Sequence, residues 1–257
     1  MTSRSEAMQE LTKPGYLLGV DADPKTIKGR ALDTVTAIQY LAAATASGIA
    51  DVCKYKSKAC EAFCLFGQGR ASFTPNIKPA RITRTIWLFK ERAQYDEQLG
   101  NELVALLRKA DRENMNAACR LNGTSDLPWE RMKFTYKGVT YPNVMEAFPG
   151  ISFYDYTKYP ISERPVNSLP DNYHLTYSYS ENTSYREYLE NINAGRNIAV
   201  VFRVKRGHDL PTTWRGIRVI DGDYNGDVRY LDPKGVIVGL RMKGTVRQDQ
   251  SGFVQEA

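Results

Sequence analysis

The amino-acid sequence predicts an α/β fold, in which helices flank a parallel sheet. Two observations predict it. Short apolar runs alternate with helical patterns along residues 116–244, and most of these runs end in polar side chains. The 257 residues are 42 % hydrophobic and 25 % charged, which is typical of a globular chain. We expect a single α/β domain over residues 1–257, with a flexible N-terminal arm at residues 1–14.

The predicted elements follow from the spacing of apolar residues. The segment DTVTAIQYLAAA (33–44) predicts the first buried strand, and three- and four-residue spacings over residues 79–114 predict helix. Later strands are expected at 116–126, 151–158, 173–180, 197–204, 219–223, 228–232 and 236–244, and helices at 143–150 and 184–195. Strands and helices that alternate at this spacing favour parallel βαβ units.

Polar residues close or follow four of these strands. They are Asn122, Ser125 and Asp126; Asp155, Thr157 and Lys158; Ser178, Ser180 and Asn182; and Asp221 and Asp223. The carboxyl ends of parallel strands form the active-site rim in α/β barrels and open sheets. The repeated pattern therefore predicts a polar substrate pocket, although Ser, Asp and Asn are also favoured at turns and helix N-caps. For DGD (221–223) and YLD (230–232) two interpretations stay open, that they bind a divalent cation or that they form turns.

Three of the four cysteines lie within twelve residues, CKYKSKACEAFC. On a helix Cys60 and Cys64 would share one face, with Cys53 in the loop before it. Three thiolates suit three irons of a [4Fe–4S] cluster and leave the fourth iron open. Zinc is the alternative, with a histidine or Cys119 as fourth ligand, and a core role for the cysteines also stays open.

The surroundings of the cysteines favour iron–sulfur over zinc. Structural zinc sites usually draw their ligands from two close pairs, whereas this chain has one such pair, and His174 and His208 are isolated. The lysines at positions 54, 56 and 58 are expected to lower the pKa of the thiols and to offset the charge of a thiolate-bound cluster. Cys119 lies in an apolar run, which favours a place in the core over a role as a nucleophile.

The layout YLAAATASGIADVCKYKSKACEAFCLFGQGRA, then RLNGTSD, FYDYTK, YSYSENTS, AVVF, DGD and GLRMKG, resembles a bacteriophage family. That family is labelled rolling-circle-replication-associated, or gene product eighty-eight, and the resemblance runs from about residue 15 to the C-terminus. The cysteine stretch is similar to that of three-cysteine, radical-SAM-like phage proteins with a partial TIM barrel. The resemblance implies a partial or irregular TIM-barrel-like sheet.

The same resemblance implies a cofactor site. Cys53, Cys60 and Cys64 would hold a [4Fe–4S] cluster, and S-adenosylmethionine (SAM) would bind its open iron. Phe63 would then pack near the adenine, and Asn122, Ser125 and Asp126 are further candidates for cofactor binding. The spacing C-x6-C-x3-C is longer than the usual C-x3-C-x2-C, and the glycine-rich SAM motif is not evident after the second strand. Cluster binding is thus better supported than SAM binding. A His-x-His pair is also missing, so the chain does not have the motif of a rolling-circle nicking enzyme.

Charge suggests the class of partner. Lys and Arg number 35 against 29 Asp and Glu, so the formal net charge is +6 and the pI is about 9.0, which suits a partner that carries phosphates. Basic and aromatic residues interleave at Arg70, Arg81, Arg84, Trp87, Phe89 and Lys90, which suits either nucleic acid or a solvated helix face. Apolar runs fall short of the roughly 20 residues that span a bilayer, and a signal peptide is not recognisable.

These observations lead to two expectations. The first is a phage-type, radical-SAM-like iron–sulfur protein of the host cytoplasm that acts on nucleic acid or nucleotides. The second is a non-catalytic, DNA-associated replication accessory protein with a structural metal.

Overall fold

The computed structural model of the protein describes residues 12–22, 24–67, 70–224 and 228–257. The strands are β1 (Leu18–Val20), β2 (Thr34–Gln39), β3 (Asn116–Arg120), β4 (Phe134–Tyr136), β5 (Val139–Tyr141), β6 (Ile151–Thr157), β7 (Tyr173–Ser178), β8 (Ile198–Phe202), β9 (Thr213–Trp214), β10 (Ile217–Asp221), β11 (Ile237–Arg241) and β12 (Val254–Gln255). The α-helices are α1 (Pro24–Lys28), α2 (Lys58–Ala62), α3 (Arg70–Phe73), α4 (Ile77–Lys90), α5 (Arg92–Glu113), α6 (Val144–Ala147) and α7 (Tyr185–Asn193).

Ten strands form one mixed, mostly parallel sheet in the order β1-β2-β3-β6-β7-β8-β11-β10-β9, with β12 paired to β8. The seven strands from β2 to β10 in this order are parallel to their neighbours, whereas β1 and β9 are antiparallel at the two edges. The predicted α/β class with a mainly parallel sheet is confirmed. Over the described residues the strands do not close into a barrel, and β4 and β5 form a separate hairpin.

The C-terminal strand β12 pairs with the same side of β8 as β7 does, but farther along β8. β7 pairs with β8 at Ile198 and Ala199, and β12 pairs with β8 farther along, at Val201 and Phe202. Because β11 occupies the other side of β8, β12 fills the place that β7 leaves. The last residues of the chain therefore lie beside the carboxyl end of β7.

Most predicted strands and helices are present, with shorter bounds, and the exceptions have local causes. The helix predicted over 79–114 is two helices, because Glu91 between them has a non-helical backbone (φ −125°, ψ 51°). The strand predicted at 228–232 is wrong. A 3-10 helix runs over Arg229–Leu231, where the guanidinium of Arg229 is buried and pairs with Asp232 at 3.2 Å. DGD runs from the end of β10 into a turn, and this turn does not join β10 directly to β11, because these two strands are parallel.

The main hydrophobic core lies against the first half of the sheet. Leu99, Leu103 and Leu106 of α5 are buried in the same cluster as Val35 of β2 and Cys119 of β3. Cys119 is fully buried, which confirms that it belongs to the core. A second, more aromatic cluster lies under α7 at the other half of the sheet.

The N-terminal segment is attached to α5 as far as it is described. The backbone N–H groups of Leu17 and Leu18 donate to the carboxylate of Glu102, and Gln98 donates to the carbonyl of Pro14 at 3.2 Å. Residues 1–11 of the predicted flexible arm lie outside the described residues. Each described helix is too short or too polar to cross a membrane.

Candidate functional site

The loop after β3 is organised by Asn122 and by a buried carboxylate of the next strand. Asp155 of β6 is fully buried and accepts hydrogen bonds from the backbone N–H of Asn122 (2.8 Å) and from its Nδ2 (3.3 Å). The Oδ1 of Asn122 accepts in turn from Ser125 Oγ (2.8 Å) and from the N–H of Leu127 (2.9 Å). Three predicted pocket residues therefore form one network that joins β3 to β6.

Arg164 is the centre of a second network at the same strand ends. Its guanidinium is fully buried and donates to both carboxylate oxygens of Glu130 (3.0 and 2.7 Å), to Asp126 Oδ1 (3.0 Å) and to Thr157 Oγ1 (3.1 Å). Asp126 also accepts from the N–H of Lys158 at 2.7 Å. The structure thus brings the predicted residues Asp126, Thr157 and Lys158 together through an arginine and a glutamate that strand-end patterns do not single out.

Burial shifts the charged groups of this region toward their neutral forms. Desolvation raises the pKa of Asp155 to about 7, against the opposing charge of Arg120, whose Nε lies 3.8 Å from Asp155 Oδ1. Desolvation also raises the pKa of Asp126 and lowers that of the Lys158 amine. These strand ends are therefore a desolvated environment in which proton positions respond to small changes of surroundings.

Lys158 links two strand ends to the segments above them. Its amine donates to the carbonyl oxygen (2.9 Å) and the Oγ (3.1 Å) of Ser178 at the end of β7. The same Nζ lies 5.3 Å from the ring centre of Phe253, directly before β12. Burial raises the pKa of the Cys60 thiol, and the positive charge of Lys158 opposes that rise. Lys158 therefore faces both the cysteines and the C-terminal segment.

Four other predicted pocket residues lie outside the hydrogen-bond networks of Asn122 and Arg164. The N–H of Ser180 donates to Thr183 in a turn (3.0 Å), and Asn182 is exposed. Asp221 is bonded to both guanidinium nitrogens of Arg241 (2.8 Å each), and Asp223 pairs with Lys243. Because β8 and β11 separate β10 from β7, the structure does not bring these two aspartates into the central group.

The cysteine loop, residues 53–67, contains only one short helix. Ser57 is the N-cap of α2 and its Oγ accepts from the N–H of Cys60 at 3.1 Å. The helix ends at Ala62, and Phe63, which is half-buried, is its C-cap. Cys64 therefore lies beyond the helix. The expectation that Cys60 and Cys64 share one helical face is wrong, because the chain turns at Phe63.

The cysteine loop lies across the carboxyl ends of three parallel strands. After β7, the carboxylate of Glu181 accepts from Ser57 Oγ and from the N–H of Ala59, both at 2.8 Å. After β6, Glu163 pairs with Lys54 at 3.0 Å and accepts from Tyr55. After β3, the carbonyl of Thr124 lies 3.8 Å from Cys53 Sγ, and the N–H of Asp126 donates to the carbonyl of Val52 at 2.8 Å. Contacts to three separate rim loops therefore hold this segment in place.

The three thiols are free, half-buried and close enough to influence one another. The pKa of Cys53 is raised to about 12, mainly by burial, and the negative charges of Asp126, Cys60 and Cys64 act in the same direction. Burial also raises the pKa of Cys60 and of Cys64, where Lys158 and Arg81 respectively act in the opposite direction. Over the described ranges, His, Cys, Asp and Glu side chains do not form a group of three placed to hold a metal ion. The sulfurs thus share one electrostatic neighbourhood without converging on one point.

The pKa of each thiol is raised, although the neighbouring lysines were expected to lower it, because burial of the sulfur atom is the largest influence. Lys54 pairs with Glu163 at 3.0 Å and Lys56 with Asp51 at 2.6 Å, so two of these ammonium groups already have carboxylate partners. Lys56 still interacts with the charge of Cys53. The cations that favour the thiolates of Cys60 and Cys64, Lys158 and Arg81 respectively, come from distant parts of the sequence.

The basic stretch on α4 is largely turned inward. The guanidinium of Arg81 is buried over the ring of Tyr40 (4.7 Å) and donates to the carbonyl of Leu65 at 3.1 Å. Arg84 donates to the carbonyl of Tyr16 at 2.7 Å, and Trp87 belongs to the main core. The side chain of Arg70 lies outside the described ones, while Phe89 and Lys90 are exposed. Arg81 therefore serves the cysteine loop rather than an outer surface.

The family model described as Gene product 88 matches residues 16–257. Neither the curated proteins nor the solved structures contain a match to the chain.

Proposed function

The chain belongs to the gene product 88 family, and we propose that it is a radical-SAM-like iron–sulfur protein that acts on nucleic acid or nucleotides. The proposal is carried by one observation. A single loop with three free cysteines crosses the carboxyl ends of β3, β6 and β7, where parallel sheets place their active sites.

The strand order supports a partial-barrel interpretation of the sheet. The strands β2, β3, β6, β7, β8 and β11 are neighbours in the same order in which they occur along the chain. This is the order of strands in (β/α) barrels, whose carboxyl-terminal face carries the site. The cysteine loop follows β2, the first of these strands, and returns over its neighbours.

The donors fit an iron–sulfur centre in their chemistry. Cysteine thiolates are the usual ligands of such clusters, and here three of them are reduced and half-buried. Over the described residues the sulfurs do not form a group that could hold a metal ion, so the cysteine loop would have to rearrange for all three to bind one group. A bound [4Fe–4S] cluster supplies one-electron chemistry, and SAM on its open iron would supply a radical.

The chain's own residues would provide charge and orientation. Lys158 and Arg81 favour the thiolate forms of Cys60 and Cys64 and so offset the negative charge of a thiolate-bound group. The amine of Lys158 has hydrogen-bonding capacity beyond Ser178, because an ammonium has three donors, and it would anchor an anionic part of the substrate. Asp126 and Arg164 fix the backbone that carries this amine.

Metal analysis of anaerobically purified protein tests the proposal. We expect about four irons and four sulfides per chain, and loss of most of both in Cys53→Ala, Cys60→Ala and Cys64→Ala. Cys119→Ala is the matched control and should keep the full content, because Cys119 lies in the core. A chain that stays free of iron after reconstitution, or variants that all retain iron equally, would contradict the cluster.

Adding SAM to the reduced cluster then tests the second part of the proposal, that SAM binds to the open iron. A change in the electron paramagnetic resonance spectrum is expected, with a weaker change in Phe63→Ala if that ring packs near the adenine. Stoichiometric zinc on the same thiols would replace the proposal with the alternative, a non-catalytic, DNA-associated replication accessory protein with a structural metal.

A further inference from the structure

A cluster of aromatic rings with an arginine lies at the surface beside α7. Arg215 occupies the turn between β9 and β10, and its guanidinium carbon lies 4.4 Å from the ring centre of Trp214. The same carbon lies 5.4 Å from the ring centres of Tyr179 and Tyr188. Arg215 is exposed, and in the described part of the chain its guanidinium has no carboxylate partner within salt-bridge distance.

The rings beneath Arg215 are packed against one another. Trp214 meets Tyr179 and Tyr188 edge to face, with centre distances of 5.2 and 5.5 Å. Tyr188 stacks in turn with Tyr185 at 5.9 Å and an angle of 23°, and Tyr185 is 63 % exposed. The outermost ring therefore has an open face and a rigid support, which reduces the entropy lost when a planar ligand stacks on it.

The segment around the hairpin is rich in positive charge. Residues 203–218 contain Arg203, Lys205, Arg206, Arg215 and Arg218 against a single acidic residue, Asp209. Lys205, Arg206 and Arg218 are exposed. This distribution suits a chain of phosphates that runs along the hairpin.

We propose that Tyr185, Trp214 and Arg215 form a binding platform for single-stranded nucleic acid. A base would stack on the exposed face of Tyr185, the guanidinium of Arg215 would bind the adjacent phosphate, and the basic segment would follow the backbone. Stacking on aromatic side chains needs bases that are free of their duplex partners, so single strands are favoured over duplex. The inference goes beyond the proposed function, because it involves neither the cysteines nor a metal.

The other hairpin of the chain offers a matched control for the turn. Lys137 and Gly138 between β4 and β5 have φ values of 49° and 78°, and Arg215 and Gly216 have 49° and 80°. The amine of Lys137 lies 5.3 Å from the ring centre of Tyr136, so this turn too carries a cation over an aromatic ring. Asparagine tolerates the left-handed backbone, which makes Arg215→Asn and Lys137→Asn equivalent changes of charge with little strain.

Tryptophan fluorescence provides the measurement. Trp87 and Trp129 are 3 % and 1 % exposed, whereas Trp214 is half-buried, so quenching by a ligand reports mainly on the platform. The probe is oligo(dT) of about 12 nucleotides, which lies within the range of single-strand site sizes. We expect saturable quenching at low salt, with affinity that falls as salt is raised.

Substitutions distinguish binding on this platform from general electrostatic attraction to a basic protein. Tyr185→Ala should weaken binding of oligo(dT) at least ten-fold, and Arg215→Asn should weaken it several-fold and flatten its salt dependence. Tyr16→Ala, another exposed tyrosine (72 %), and Lys137→Asn should leave the affinity unchanged. The protein should bind equally well before and after reconstitution with iron and sulfide, which separates this result from any failure of the cluster.

Three results would overturn the platform. One is the absence of oligo(dT) binding at low salt. Another is equal weakening in Lys137→Asn and Arg215→Asn. The third is tighter binding of a 12-base-pair duplex than of the single strand, which would assign the basic segment to duplex DNA.

Discussion

Replacing Asp155 with asparagine should remove a pH dependence of stability that the buried carboxyl creates. Burial raises the pKa of Asp155 from 3.8 to about 7 in the folded chain. A raised acid pKa means that the folded protein binds a proton which the unfolded chain has already released. The free energy of unfolding therefore falls as pH rises from about 4 to 7, and this loss is complete above the folded pKa.

The magnitude follows from the size of the shift. Each pKa unit corresponds to about 1.4 kcal/mol, so Asp155 lowers the stability by about 3 kcal/mol between pH 5 and pH 8. Asparagine resembles the protonated acid, and its oxygen can still accept from the N–H of Asn122. At pH 5 we expect Asp155→Asn to be no more stable than the parent protein. Between pH 5 and pH 8 its free energy of unfolding should rise relative to that of the parent.

Urea denaturation of both proteins at half-unit pH steps measures this difference. Since all other titrating groups are shared, the difference between the two curves isolates Asp155. Curves that stay parallel from pH 5 to 8 would refute the reasoning, because the folded and unfolded pKa values of the carboxyl would then be equal.

Three further substitutions test the supports of the site. Glu181→Ala removes two hydrogen bonds to the start of α2, and the cysteine loop should react about ten-fold faster with a thiol reagent, while unchanged rates would contradict its role. Arg164→Met removes the buried guanidinium that pairs with the carboxylates of Asp126 and Glu130, and it should cost about 3–5 kcal/mol in urea denaturation; a loss below 1 kcal/mol would mean that the network is dispensable. In Gly100→Ala the new Cβ would lie 2.2 Å from the ring of Tyr136, so a loss of about 1–3 kcal/mol is expected, and a stabilised variant would contradict this packing.

Sequence patterns were sufficient to predict those parts of the structure that depend on the local spacing of apolar and polar residues. Apolar alternation located the central strands, and their polar ends identified Asn122, Asp126 and Lys158, which the structure brings together at one edge. The reason is geometric: the carboxyl ends of neighbouring parallel strands meet at the same edge of a sheet, whatever the loops between them do. Asp221 and Asp223 fit the same pattern, but the position of β10 in the strand order, which local spacing does not specify, places them elsewhere.

The supports of the site depend on distant partners and were missed for that reason. Arg164 and Glu181 follow strands β6 and β7 in irregular segments, where the sequence carries no period. Their role appears only when Arg164 meets Glu130 and Glu181 meets Ser57 across the rim. The lysines of the cysteine loop misled for the converse reason, because nearness in sequence suggested an influence on the thiol pKa values that burial of the sulfurs outweighs.

The attachment of the cysteine loop determines what a metal would contribute. Glu181 and Glu163 accept from one backbone N–H group, a serine, a lysine and a tyrosine, and they leave all three sulfurs without a carboxylate partner. Folding of the sheet therefore positions the loop before any ion binds. Burial keeps the thiols protonated, so an ion must displace protons from them, and Lys158 and Arg81 lower that cost at Cys60 and Cys64. Binding would then require a local rearrangement of the cysteine loop and leave the architecture of the sheet as it is.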